Sequence, residues 1–517
     1  MFKINLRQYL PYLLLLLIAF VLVFIWFRGG SPLGGGEIGN PYYNIKRMFD
    51  ISSLAWSEIL LGINSGMTVT VVPLYWFFTQ LQSMNIPGYV IQSLFFLGCL
   101  FMGLFSIYKL TAEMFPNKHV LTYLVAAIFY VVNPYAMVNI WNRFLQNPML
   151  FYAFLPFGLW LYIRGLNTGK YIYAILSMCM ATAFSFAFAG PSQTLLFWGL
   201  MFITGIYYFI YFRSDRFTIL YFILNIILWI IFNIFWILQE IYFRFSPSFV
   251  EASTSFFTTY GNFQTFVSLS NQLGKLSNLF IFQHGQFFSG SIDLPFQWPL
   301  FYSNIFTLMI QWSVILFVLF RAIKLINNKW VLYLIALFIF SIFVSKGSSM
   351  PLGEIFEYLF KKISLLEFFR NPFEKLGMLI SLSASPLVGF SIGNLFDVYK
   401  HSRLNRYLVI IGISLYLGVF LGFPYWTGLI FTSGNPPANN PKINIQVEIP
   451  NYYQAANEYL TKSKETLRLI VLPLGGEGIF YKWPKGYVGV EQSNLMLTIP
   501  SISFNTTIPF YNQIVGK

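Results

Sequence analysis

Residues 29–50 read GGSPLGGGEIGNPYYNIKRMFD and follow directly on the apolar run 9–27. A membrane helix needs about 20 apolar residues, so the run is long enough to cross a bilayer. The stretch after it cannot prolong that helix. Its glycines allow turns that side chains forbid, and Pro32 and Pro41 interrupt regular hydrogen bonding. Glu37 stands among Gly34, Gly35, Gly36 and Gly39, and Asp50 closes the stretch. A carboxylate just beyond the end of a membrane helix is costly to keep beside lipid. It marks either a solvated loop or a functional site.

Working outward, the composition sets the class. Of 517 residues, 57% are hydrophobic, 21% aromatic and 10% charged. Soluble domains carry about 25% charged residues. The apolar runs are continuous rather than alternating, which excludes an outer-membrane barrel. The expectation is an all-α polytopic membrane protein with about eleven spans. They fall near 9–27, 89–110, 119–138, 148–164, 171–189, 192–212, 217–240, 302–322, 330–345, 376–396 and 407–426. The segment 67–84 is apolar but contains Pro73 and precedes Asn85-Ile86-Pro87-Gly88, so it is expected to be re-entrant or interfacial. Arg28 and the residues after it offer no small-x-small cleavage site, so the first run is read as a retained anchor.

The net charge of +14 sorts by side of the membrane. With the N-terminus in the cytoplasm, the inner segments hold Lys3, Arg7, Lys109, Lys118, Arg164, Lys170, Arg213, Arg216, Arg321, Lys324, Lys329, Lys400, Arg403 and Arg406. Only Glu113, Asp215 and Asp397 stand against them. This is the positive-inside pattern. The excess charge is a topology signal and implies no nucleic-acid partner. An odd number of spans puts the C-terminus outside, in a multi-pass protein of the cell membrane.

The outer side carries the elaboration. Its long segments are 28–88, 241–301 and 346–375, set within a membrane module 1–430. The first includes 51–61, ISSLAWSEILL, expected as an amphipathic interfacial piece. A Pro/Asn-rich linker at 434–441 leads into an outer segment, 431–517, expected to be a small α/β or irregular unit with a helix over 450–461 and a strand over 467–473.

No nucleotide-binding loop matches the glycine-rich stretch, and no Ser-His-Asp or zinc signature appears. Cys99 and Cys179 lie in apolar runs and the chain has three histidines, so no metal ligand set is assigned. The candidate site residues are therefore outer charges. Arg143, bracketed by Asn133-Pro134 and Asn147-Pro148, is either a phosphate ligand or, beside Trp141, an interfacial anchor. Arg370 and Lys375 flank Asn371-Pro372 before a span; they either clamp a phosphate or are neutralised locally by Glu367 and Glu374. His284 and Asp50 are the remaining polar candidates for substrate binding.

The order of these features resembles the GT-C glycosyltransferases, in particular the α-(1→3)-arabinofuranosyltransferase family. The resemblance rests on the first span with its Gly-rich acidic loop, then Ile86-Pro87-Gly88-Tyr89-Val90-Ile91-Gln92 opening a span. It continues in Phe129-Tyr130-Val131-Val132-Asn133-Pro134-Tyr135 and Phe369-Arg370-Asn371-Pro372-Phe373-Glu374-Lys375. It ends in Ile449-Pro450-Asn451-Tyr452-Tyr453, Arg468-Leu469-Ile470-Val471-Leu472-Pro473 and Tyr481-Lys482-Trp483. The resemblance implies an integral-membrane enzyme that moves a sugar from a polyprenyl-phosphate donor to a cell-envelope glycan acceptor at the outer face. It implies that Glu37 occupies the place of the family's catalytic Asp. One extra methylene displaces such a base by about 1 Å, enough to matter to reactivity. A divalent cation is a further means of stabilising the leaving phosphate. Two rival readings stand beside it: a transporter or flippase for lipid-linked saccharide, which expects charges at mid-span, and a non-catalytic envelope-assembly scaffold.

Overall fold

The computed structural model describes residues 6–54, 56–57, 63–64, 66–213, 215–245, 263–288, 298–431, 445–462, 469–475, 479–491 and 493–504. The anchor helix α1 spans Leu6–Phe27, and a short helix α2, Ile45–Ser52, follows the glycine-rich loop. Then come α3 (Val72–Ser83), α4 (Gly88–Met114), α5 (Val120–Asn142) and α6 (Gln146–Thr168). Next are α7 (Ile172–Ala183), α8 (Pro191–Tyr211), α9 (Arg216–Arg244), α10 (Ile305–Lys324) and α11 (Lys329–Ser345). The last two are α12 (Pro372–Val398) and α13 (Arg403–Leu421).

Each of the eleven expected span positions is occupied by a helix. Among the described residues, however, only nine helices are long and apolar enough to cross a membrane. The other two, α7 and α11, have 12 and 17 residues. At about 1.5 Å per residue both fall short of a hydrocarbon core about 30 Å thick. The apolar run 171–189 is cut because the chain tightens into a 3₁₀ turn, Ser185–Phe188, before Pro191 starts α8. Pro73, expected to weaken 67–84, instead sits in the first turn of α3, where a missing N–H costs nothing. The amphipathic piece expected at 51–61 lies earlier, as α2, which Asn44 starts by accepting a bond from the Arg47 amide at 3.0 Å. Within 51–61, residues 55 and 58–61 lie outside the described residues.

The core helix is α12, of which 94% of the spanning window is buried. It packs on α5 and α11. Small residues make the approach to α5 close: a Cβ on Gly389 would lie 2.2 Å from the Thr122 carbonyl oxygen. In a membrane such close packing replaces the hydrophobic drive. The buried Ser383 and Ser385 of α12 bond within the helix, as Ser385 does by donating to the Ser381 carbonyl at 2.6 Å.

Between the spanning helices, short helices stand at Phe263–Leu273, Leu276–Phe280, Trp298–Ser303 and Gly353–Lys362. Much of the expected outer loop 241–301 and all of the linker 434–441 lie outside the described residues. In the C-terminal segment the expected helix is Tyr452–Thr461, and the strand is Leu469–Gly475. That strand pairs parallel with Ser501–Phe504, while Ile479–Tyr481 and Tyr487–Gly489 form an antiparallel pair. Val447, Trp483, Tyr487 and Met496 make a small core, against which Tyr43 of the first loop packs.

Candidate functional site

Four stretches distant in sequence meet at one cavity of about 260 Å³ at the end of the bundle where α1 runs into the glycine-rich loop. Its wall includes Glu37, Asn139, Arg143, Gln193, Glu374 and Lys375.

Local sequence explains each contribution. The aromatic-Asn-Pro sequence at the end of α5 breaks the helix once. Asn133 bridges the break, donating to the carbonyls of Phe129 at 3.1 Å and Tyr130 at 2.7 Å. Its Oδ1 accepts from the Ala136 amide at 3.0 Å and from Ser381 of α12 at 3.2 Å. Beyond Pro134 the backbone widens into a π turn, Met137–Asn142, a form that re-aims side chains and recurs at functional sites. Arg143 caps that turn. Trp141 is fully buried and donates to the Val131 carbonyl at 3.0 Å. The anchor reading of this pair therefore fails, because the indole faces the core instead of the interface.

Gln146 ties the Arg143 segment to the first loop. It donates to the Tyr42 hydroxyl at 2.8 Å and accepts from Tyr75 at 3.0 Å. The first loop is held on a second side by Gln92, which mimics a peptide group: it accepts from the Leu33 amide at 2.8 Å and donates to the Leu33 carbonyl at 2.9 Å. Pro372 starts α12 and puts Glu374 in its first turn, where the helix dipole favours an acid.

The charges form a chain. The guanidinium of Arg143 reaches Glu37 Oε1 through Nη2 at 3.1 Å and Glu374 Oε2 through Nη1 at 2.8 Å. Glu374 Oε1 then meets His284 Nε2 at 3.4 Å. His284 Nδ1 accepts from the Phe287 amide, so Nε2 carries the proton and donates to Glu374. Burial pulls the Arg143 pKa down, but Glu374 and Glu37 outweigh it and hold the guanidinium above its ordinary value. Arg143 is therefore a permanent cation.

The two acids differ. Glu374 has a partner on each oxygen, whereas among the described residues Glu37 uses only Oε1, and it is 71% exposed. Lys375 lines the cavity and makes no ion pair among the described residues. The oxygens of Glu374 bond to Arg143 and His284, so its influence on the neighbouring Lys375 acts through space and not through an ion pair.

The structure thus gathers Glu37, Arg143 and Lys375 around one space, with His284 bonded behind Glu374. It does not bring Asp50 there: Asp50 lies exposed on α2. Arg370 ends the 3₁₀ turn Ser364–Phe369 that precedes α12 and is not part of the wall. Asn139 and Gln193 are wall residues that sequence reasoning did not single out, and Glu374 was named there only as a local neutraliser. For Glu374 the signal was its place in the first turn of a helix that starts at Pro372. Among the described residues, no group of three or more His, Cys, Asp or Glu is gathered closely enough to hold a metal ion.

Two apolar cavities flank the same helices. One, about 180 Å³, lies along Leu195, Gly199, Ile203, Phe340, Leu376 and Leu379. The other, about 280 Å³, is lined by Phe188, Leu195, Trp229, Trp236, Glu240 and Phe368. On α8, Gln193 faces the polar cavity while Leu195 faces both apolar ones.

No protein-family model matches the chain, and no curated protein sequence matches it. Solved structures do. The structure of the arabinofuranosyltransferase AftD from Mycobacteria aligns with a TM-score of 0.62 at 14% identity, covering 97% of this chain and 32% of that one. A point mutant of AftD from Mycobacteria, class 2, aligns with a TM-score of 0.61 at 14% identity, covering 96% of this chain and 33% of that one. This chain spans about a third of the length of the enzyme it matches. At this identity the likeness speaks for architecture, and it runs along nearly all of the described helices: the protein is a polytopic helical membrane protein with the GT-C fold.

Proposed function

We propose that this protein is an integral-membrane glycosyltransferase. It moves a sugar from a polyprenyl-phosphate donor to a cell-envelope glycan acceptor at the outer face, with the N-terminus in the cytoplasm and the C-terminus outside. The observation that carries this reading is the convergence of Glu37, Arg143 and Lys375, from three separate outer segments, on one polar cavity.

The chemistry follows from which atoms are engaged. Glu37 Oε2 is the oxygen left over by Arg143, so it takes the proton from an acceptor hydroxyl. The hydroxyl oxygen then bonds to the anomeric carbon of the donor sugar. The bond from that carbon to the phosphate oxygen breaks, and the electron pair leaves on the lipid phosphate. Lys375, which makes no ion pair among the described residues, meets that developing charge, and Arg143 keeps the pocket positive. Glu374 is a poor base because both its oxygens are already bonded. Its part is to orient Arg143. The apolar cavity along α8 and α12 offers a seat for the lipid chain beside the polar one.

The carrier reading finds less support. Charged side chains in the spanning helices lie near helix ends, as Lys109 and Glu113 do in α4, and Arg321 and Lys324 in α10. The scaffold reading leaves the convergence of charges without a purpose.

The test is transfer by the purified protein in lipid nanodiscs. The donor is a synthetic short-chain prenyl-phospho-arabinofuranose, a sugar chosen from the fold's likeness to AftD, and the acceptor an arabinofuranosyl oligosaccharide. Wild-type protein transfers and Glu37→Gln does not. Equal turnover by both would remove Glu37 from the reaction.

A further inference from the structure

Glu37 is mostly exposed and its side chain has one partner among the described residues, so packing of the side chain does not place it. Its backbone does. The Gly35 amide donates to the Gly39 carbonyl at 2.8 Å, and the Gly39 amide returns a bond to Gly35 at 3.2 Å. These two bonds close a tight loop with Glu37 near its tip. Gly35, Gly36 and Gly39 sit at φ of 101°, 57° and 66°, the left-handed region that glycine occupies without strain.

The loop rests on the far end of the chain. The Gly36 amide donates to the Val488 carbonyl at 2.8 Å, and the Val490 amide donates to the Gly36 carbonyl at 2.9 Å. Together they form a parallel bridge between Gly36 and Gly489. The two backbones touch directly. A Cβ on Gly489 would lie 2.5 Å from the Gly36 nitrogen and 2.8 Å from its oxygen. A Cβ on Gly35 would lie 2.5 Å from the Val488 oxygen. Neither clash can be relieved by a side-chain rotation, because the atoms met are backbone. Further along, the Gly34 amide donates to Ile445, the Val447 amide to Pro32, and Lys485 Nζ to Ser31 Oγ at 2.6 Å.

We propose that the Val488–Gly489–Val490 backbone is a positioning element for Glu37, setting the height and direction of that carboxylate over the polar cavity. The proposal rests on the reading of Glu37 as the base. A glycine-rich loop left to itself samples many conformations, and ordering it costs about 1–2 kcal/mol per residue. The bridge supplies that order immediately before Glu37, where a displacement of about 1 Å matters to proton transfer. Gly489 touches neither substrate nor reacting atoms; it acts through Glu37.

The full chain in lipid nanodiscs is compared as wild type, Gly489→Ala, Tyr459→Ala, Glu37→Gln and the Glu37→Gln/Gly489→Ala pair. Amide hydrogen exchange over residues 34–40 reads the loop without reference to activity. Gly489→Ala speeds it by about tenfold or more, through local opening, and leaves α1 and α4 unchanged. Tyr459→Ala, on the exposed face of helix Tyr452–Thr461, changes nothing. In the transfer assay with the same synthetic donor, Gly489→Ala lowers kcat while the donor KM stays near its wild-type value. The paired variant is no slower than Glu37→Gln alone, because the bridge has nothing left to position. Unchanged exchange at 34–40 overturns the proposal whatever the activity, and so does a further loss in the paired variant. If Glu37→Gln leaves transfer intact, the base reading fails by itself, while exchange still decides whether Gly489 orders the loop. Should Gly489→Ala not accumulate as folded protein, Lys485→Ala loosens the same contact through Ser31 and gives the same pattern at smaller amplitude.

Discussion

Glu37 and Glu374 grip the same guanidinium and are held in opposite ways. Glu374 stands on α12, the most buried spanning helix, with a partner on each oxygen. Glu37 stands on a glycine loop, mostly exposed, with one oxygen uncommitted. The first arrangement fixes a charge and the second leaves one available for chemistry. A site that moves a proton needs both: a rigid acid to aim the cation, and a second acid whose remaining lone pairs face the substrate.

The largest effect that would break this comparison is at Glu37. Glu37→Gln keeps an oxygen for Arg143 but loses the proton acceptor. Transfer falls by about 10²–10⁴-fold, the usual weight of a general base, while the thermal midpoint in detergent stays put. A shifted midpoint would mean that Glu37 is structural as well.

Glu374→Gln should do the reverse. It strips the charge from a group bonded to Arg143 and His284, at a cost of about 2–5 kcal/mol, typical when one partner of a buried charge pair is lost. Thermal unfolding reads this as a clear drop in midpoint. An unchanged midpoint would show that α12 does not anchor the cluster through this acid.

A smaller effect is expected at Gly199, where an added Cβ meets nothing within 4 Å. Gly199→Leu fills the apolar cavity beside α8 without disturbing its neighbours. It raises KM for a long-chain prenyl-phosphate donor by about tenfold, the worth of roughly two buried methylenes at about 0.8 kcal/mol each. KM for a short-chain donor stays the same. Equal KM changes for both donors would place the lipid chain elsewhere.

The smallest effect is at Asp50, exposed on α2 and away from the cavity. Asp50→Asn leaves both transfer and thermal midpoint near wild type, within about 0.5 kcal/mol. A marked loss of transfer would restore Asp50 to the site.

The sequence alone determined the membrane class, the positions of the helices and three of the cavity's charges, because hydropathy and turn chemistry are local properties. Glu37 was legible from its glycines, and Arg143 and Lys375 from their places beside Asn-Pro breaks. The pairing of charges was not legible. Glu374 and Lys375 are adjacent in sequence, which suggests mutual neutralisation, yet neighbours on a helix point in different directions. Glu374 turns instead to Arg143, which the packing of α12 on α5 brings within reach, and to His284, which comes from the segment after Leu276–Phe280. Asp50 was a candidate for substrate binding from its place in the same stretch, but α2 carries it away to the surface. Likewise nothing local tells Gly36 that Gly489 will lie against it. Tertiary structure alone decides such contacts, because close approach of two backbones depends on where distant segments are packed and not on what either segment prefers by itself.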